Sequence, residues 1–270
     1  MTQTLSFQPF GPEHLDGALR LSRAAGWPHR REDWALAASI SLGVAATEGG
    51  EVVATALATP YGPVAMANMI IVDSRARGRG LGRQVMERAM ALVQPAAWRL
   101  VATEAGLPLY EKLGFVPRGE VRQHQGGVAS FAPPARVRWA EAADLPGIAA
   151  MDRAASGADR SALLAVLAAL GRVAVIEGAG YAVLRDFGRG AVAGPVVARD
   201  CAAARDLLAF LFAGRTGAFL RVDIPGASGL ALWLEAAGLA CVDIGVAMQR
   251  GESAAPEEFT CFALAAQALG

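Results

Sequence analysis

The 270-residue sequence predicts an α/β (α+β) chain in which one plan of strands and helices is used twice. Three observations carry this. The order β-αα-βββ-α-β-α-β can be read from residue 4 to about 122 and again from 137 to 248. A strand, a glycine turn and a helix follow one another at Met69–Arg83. Apolar residues make up 54% of the chain and charged residues 19%, enough for buried cores and too apolar for disorder.

The elements follow from local pattern. Thr4–Phe7 reads as a strand, and Pro12-Glu13-His14 opens a helix with Leu15, Ala18, Leu19 and Leu21 on one side. Gly26-Trp27-Pro28 stops it, and a second helix runs from Glu32 to about Ser41. Gly43–Thr47 and Val52–Thr59 read as a hairpin through Glu48-Gly49-Gly50-Glu51. Val64–Val72 is the strand before the glycine turn, and Leu81, Val85, Ala89, Leu92 and Val93 recur at helical spacing after it. Trp98–Ala102, a short helix Gly106–Leu113 stopped by Gly114, and strand Phe115–Arg122 complete the first copy. Gly126-Gly127 and Pro133-Pro134 read as the linker, giving domains at residues 1–130 and 135–270. The second copy runs through Val137–Trp139, Glu141–Ala154, Arg160–Leu170, Val173–Ile176, Tyr181–Leu184, Ala191–Val197, Ala202–Phe212, Phe219–Ile224, Leu230–Ala237 and Cys241–Met248.

Charge and cysteine usage narrow the function classes. The chain carries 25 basic and 25 acidic residues, which excludes a global electrostatic hold on nucleic acid or an acidic membrane. Its three cysteines, Cys201, Cys241 and Cys261, are scattered and lack metal-ligand spacing, so they read as free thiols of a reducing compartment. His14, His29 and His124 have no metal-binding companions, and no metal is expected. No secretory signal and no apolar run of membrane-spanning length is visible, which points to a cytoplasmic location.

The turn is the feature with chemistry. Gly78, Gly80 and Gly82 expose backbone N–H groups at the start of a helix, where orphan donors and the helix dipole favour an anion. Arg77, Arg79 and Arg83 surround it with positive charge, and the whole reads as a cradle for a diphosphate.

Arg77-Gly78-Arg79-Gly80-Leu81-Gly82, placed after a strand, resembles the acetyl-CoA-binding motif of the Gcn5-related N-acetyltransferases (GNAT superfamily). A second family signature, Leu109-Tyr110-Glu111-Lys112-Leu113-Gly114-Phe115, stands about thirty residues later. The match covers roughly residues 4–125, and by layout the second half resembles the degenerate domain of bacterial tandem members. The resemblance implies two GNAT-like domains, each a mixed, mostly antiparallel sheet flanked by helices. It implies acetyl-CoA as cosubstrate and acetyl transfer to a small-molecule or peptide amine by direct attack in a ternary complex. Ile70, Ile71 and Val72 would pair with the pantetheine arm, the amides from Gly78 through Leu81 and Gly82 to Arg83 would hold the diphosphate, and Tyr110 would protonate the departing thiolate. Tyr110 read without the resemblance is a core aromatic with its hydroxyl at the surface.

No base is evident. Glu104 and Asp33 are the candidates, and Asn68 is a candidate to position a water; for each a solvated charge, a helix cap or a satisfied strand amide is the plainer role. Trp27 and Trp34, with His29, lie where the resemblance puts the acceptor pocket, and serve equally well as helix-to-sheet packing. In the second half Leu234 aligns with Tyr110, and no glycine occurs between Pro195 and Ala213, so that half is expected not to bind CoA. It is left to cover the acceptor side or to form an oligomer contact such as a homodimer. An acyl-CoA sensor without catalysis is the competing function, and an Arg/Gly nucleic-acid patch is disfavoured by the neutral chain.

Overall fold

In the computed structural model, which describes residues 4–253 and 258–270, all strands join one 13-stranded sheet. The first half contributes β1 (Leu5–Pro9), α1 (Leu15–Ala24), α2 (Arg31–Ser39), β2 (Leu42–Glu48), β3 (Glu51–Tyr61) and β4 (Val64–Val72). It continues with α3 (Leu81–Met90), β5 (Ala97–Ala102), α4 (Leu107–Lys112) and β6 (Val116–Gly127). The second half repeats this as β7 (Arg138–Trp139), α5 (Leu145–Ser156), α6 (Ser161–Leu170), β8 (Gly171–Ile176), β9 (Gly180–Phe187) and β10 (Gly190–Ala198). Then come α7 (Cys201–Phe212), β11 (Phe219–Pro225), α8 (Ala231–Ala236) and β12 (Ala240–Gly251). A strand that local pattern did not predict, β13 (Thr260–Ala263), pairs with β10.

The strand order is β1-β2-β3-β4-β5-β12-β6-β11-β10-β9-β8-β7, antiparallel except at β4–β5 and β10–β11. The two halves therefore exchange their last long strands. β12 lies between β5 and β6, and β6 lies between β12 and β11.

This placement changes the reading of Gly126-Gly127, which are the last residues of β6 and not part of a linker. A Cβ at Gly126 would lie 2.3 Å from the Gly238 carbonyl oxygen, so the residue is small because another backbone crosses there. Pro133-Pro134 do lie outside regular structure.

Helices cover both faces. α3 buries Leu81, Val85, Met86 and Ala89 on one face of the first half, and α7 buries Leu207, Leu208, Leu211 and Phe212 on the second half. The opposite face carries a core common to both halves, with Leu21, Trp34 and Leu57 in the same cluster as Ile148, Leu163 and Tyr181. Such shared burial, with the strand exchange, makes the halves one folding body.

Candidate active site

The site begins where β4 and β5 part. They pair in parallel only over Val64–Met66 and Ala97–Arg99, and beyond Met66 the edge of β4 facing β5 is unpaired. On its other edge β4 carries a bulge, since Thr55 faces Ile71 while Leu57 faces Asn68. Met69 and Ile70 thus oppose Ala56 alone. Met69 has φ 50°, and its carbonyl accepts a 2.7 Å hydrogen bond from the Thr55 hydroxyl, which pins the bulge. Val72 pairs with Ala54, and Ile70 lines the cavity described below.

The turn after β4 is braced by Asp73. Its carboxylate accepts from the Arg75 backbone N–H at 2.9 Å, from the Arg75 guanidinium at 2.8 Å and from Arg20 at 3.0 Å. These bonds, those to Arg75 foremost, hold the Asp73 carboxyl well below the usual carboxylate range. Gly78 and Gly80 have φ of 77° and 74°, in the left-handed region where a side chain is strained. Gly80 is the N-cap of α3, so the first-turn amides of Leu81, Gly82 and Arg83 have no intrahelical acceptors. A Cβ at Gly82 would lie 3.4 Å from Leu109, which shows how closely the turn packs on the helix bearing Tyr110. The arginines are not equivalent. Arg79 is held by both oxygens of Glu48 at 2.8 Å and Arg83 by Glu87 at 2.7 Å, whereas Arg77 is exposed and unpaired among the described residues.

A cavity of about 360 Å³ opens beside this gap. The first half supplies Trp27, His29, Asn68, Met69, Ile70, Thr103 and Tyr110 to its wall. The second half supplies, among others, Phe187 from the end of β9, Arg189 from the β9–β10 turn, Arg221 from β11, Asp243 from β12 and Gln267 near the C-terminus. The second half does cover this side of the first. The exchange of strands produces the mixed lining, because Asp243 faces Gln123 of β6 in register. None of these second-half residues was singled out from sequence. The one local signal was the polar run Gln123-His124-Gln125 in an otherwise apolar chain, which now forms a strand with both glutamines on the cavity wall.

Tyr110 is 7% exposed and reaches the cavity, and burial pushes its phenol up to about 12. It is therefore a neutral O–H donor throughout the physiological range. The other sequence candidates separate. Asn68 and Trp27 are on the wall. Trp34 is fully buried, stacks on Phe10 and donates Nε1–H to Ser22 at 2.8 Å, so it packs the core. Asp33 caps α2 by accepting from the Arg30 amide at 2.8 Å and also accepts from the Gly188 amide at 3.2 Å, tying α2 to the second half. Arg185 stands 3.5 Å from the same carboxylate. Glu104 is exposed in a 3₁₀ turn and off the wall. His29 packs among Trp27, Trp34 and Phe187, and burial lowers its pKa to about 4, leaving it neutral. No cluster of metal-ligating side chains occurs among the described residues.

A second cavity, about 720 Å³, lies between β4–β5, β6, β12 and the α5–α6 segment. Neither α7 nor Leu234 lines it, and the second half lacks the equipment of the first. At the start of α7 the Asp200 carboxylate accepts the Ala203 amide at 2.8 Å, placing negative charge where a diphosphate would bind. Leu234, at the position in α8 matching Tyr110, is fully buried in the second-half core.

Models of the acetyltransferase (GNAT) domain match residues 40–117 and 148–263. The chain is 31% identical over 234 residues to the uncharacterized N-acetyltransferase YitH of Bacillus subtilis (strain 168), covering 79% of each protein. A putative acetyltransferase from Pyrococcus horikoshii superposes with a TM-score of 0.85 at 20% identity, covering 98% of this chain and 96% of that one. A tandem GNAT protein from the clavulanic acid biosynthesis pathway has a TM-score of 0.64 at 16% identity, over 92% and 98% of the two chains. Two domain matches, a relative matched over 79% of its length and a sheet that repeats one plan agree: the chain belongs to the GNAT family of N-acetyltransferases, as an acyltransferase with tandem domains.

Proposed function

We propose that the chain transfers the acetyl group of acetyl-CoA to a primary amine by direct attack in a ternary complex, at one site per chain. The observation that carries this is Tyr110, a buried phenol on a cavity that lies beside the open edge of β4. The residues fit the cosubstrate. The β4 edge beyond Met66 offers unpaired backbone groups for the pantetheine amides, and the Gly80–Arg83 turn offers a helix N-terminus for the diphosphate. When the amine attacks the thioester carbon, the C–N bond forms and the C–S bond breaks. Tyr110 donates its proton to the departing sulfur and regains one from the nitrogen, so CoA leaves as the thiol. The reaction is expected to need no metal.

Thiol release from acetyl-CoA over a panel of primary amines, with EDTA present, tests this reading. Release with at least one amine supports it. Tight acetyl-CoA binding with no release from any amine would replace it with a binding module that senses acyl-CoA.

A further inference from the structure

Asn68 sits in β4 immediately before the bulge at Met69, on the cavity wall, and is 5% exposed. Its amide has one partner: Nδ2 donates to Thr59 Oγ1 at 2.7 Å, while Oδ1 is buried without any. The orientation of that amide is settled by a chain of hydroxyls. The Ala37 carbonyl near the end of α2 can only accept, so Ser41 spends its single proton on it, at 2.6 Å. The 2.6 Å contact between Ser41 and Thr59 must then be a donation from Thr59, which spends its proton in turn. Thr59 is left able only to accept, so the NH2 of Asn68 faces it, and Oδ1, the unpartnered atom of a side chain on the cavity wall, is turned away from it.

A buried carbonyl oxygen held without a partner costs stability unless something arrives to bond it. The same wall carries one carboxylate among the described residues, Asp243, which forms no ion pair there. Of the two arginines on the wall, Arg221 is already bound to Asp223 at 2.8 Å, and Arg189 lies in the exposed turn between β9 and β10 without a carboxylate partner among the described residues. Asn68 Oδ1 and Asp243 can only accept N–H or O–H donors. Their chemistry matches an amine that arrives as an ammonium.

We infer that Asn68 Oδ1 binds and orients the acceptor's nitrogen, that Ser41 and Thr59 are positioning residues acting through it, and that Asp243 selects acceptors entering as ammonium ions, which release one proton to solvent before the neutral nitrogen attacks. The inference rests on the acetyltransferase reading above. It accounts for a polar side chain inside an apolar strand, and it makes two hydroxyls away from the wall matter for acceptor use.

The test uses the full chain, with lysine, 1,4-diaminobutane, tyramine and glucosamine as acceptor probes in thiol-release kinetics. With the best of the four, Asn68→Leu should raise the amine KM at least 10-fold and leave the acetyl-CoA KM unchanged. Ser41→Ala should raise the amine KM several-fold, because Thr59 can then donate and turn the amide over. Asp243→Asn should also raise it several-fold. Amine KM values that stay at wild-type level in Asn68→Leu and Ser41→Ala overturn the assignment and leave the acetyltransferase reading standing. Absence of release from all four probes in the wild type, with acetyl-CoA bound, counts against both.

Discussion

Tyr110 rests on Gly106: a Cβ at Gly106 would lie 2.8 Å from Cε2 of the tyrosine ring. The first prediction follows from this seat. Tyr110→Phe keeps the ring and removes the proton donor, so kcat should fall on the order of 100-fold with acetyl-CoA affinity by calorimetry nearly unchanged. Gly106→Ala keeps the donor and tilts the ring, so a smaller loss of about 10-fold is expected, with unfolding temperature close to wild type. Wild-type kcat in Tyr110→Phe would remove the acid role. Because the phenol is pushed up to about 12, kcat should show no alkaline limb from Tyr110 below about pH 11.

The turn makes a separate prediction. Gly80→Glu places a strained side chain and a carboxylate at the N-terminus of α3, and acetyl-CoA binding should be lost in calorimetry while the circular dichroism spectrum is retained. Arg77 has no partner among the described residues and Arg79 is tied to Glu48. Glu48→Gln should therefore free Arg79 and tighten CoA a few-fold, most clearly at low salt. Normal binding by Gly80→Glu would show that the diphosphate sits elsewhere.

How far the sequence reaches is visible in particular residues. The glycine turn, the Tyr110 helix and nearly every strand are legible because their signals are local: periodicity, a breaker, a motif at fixed distance. Which strand lies beside β5 is decided by pairing between residues more than a hundred positions apart, and no local pattern encodes it. Gly126 shows the ambiguity in small form, since a glycine that admits a crossing backbone looks like one that loosens a linker. Asp33 was identifiable as an acid near the right helix, yet its partners Gly188 and Arg185 come from the other half and remove it from the cavity. The nine-residue contribution of the second half to the wall was invisible for the same reason.

The exchanged strands predict how the chain can be cut. A fragment of residues 1–133 keeps β6 but loses β12 and β11, leaving β5 without one neighbour and β6 without either. Alone it should be aggregated or lack a cooperative unfolding transition, because one edge of β5, both edges of β6 and the shared core are exposed. Co-expressed with residues 134–270 it should co-purify as a one-to-one complex that binds acetyl-CoA. A soluble, cooperatively folded 1–133 fragment with normal binding would mean that the exchange is dispensable.

The last prediction concerns acid. His29 is half-buried among aromatic rings with its Nδ1 covered and unpartnered, and desolvation lowers its pKa from 6.5 to about 4. The unfolded chain therefore binds a proton between those two values that the folded chain does not, and stability must fall as pH drops through that window. Between pH 7 and pH 5 this single group should cost about 2 kcal/mol. Carboxylates titrate over part of the same range, so the useful quantity is a difference between proteins. His29→Phe keeps an aromatic ring against Trp27 and Phe187 and has nothing to protonate. Urea unfolding at pH 7 and pH 5 should show a smaller loss for His29→Phe than for wild type, by roughly that amount. Equal losses in the two proteins would mean that His29 is solvated in the folded chain and accepts its proton near the ordinary value.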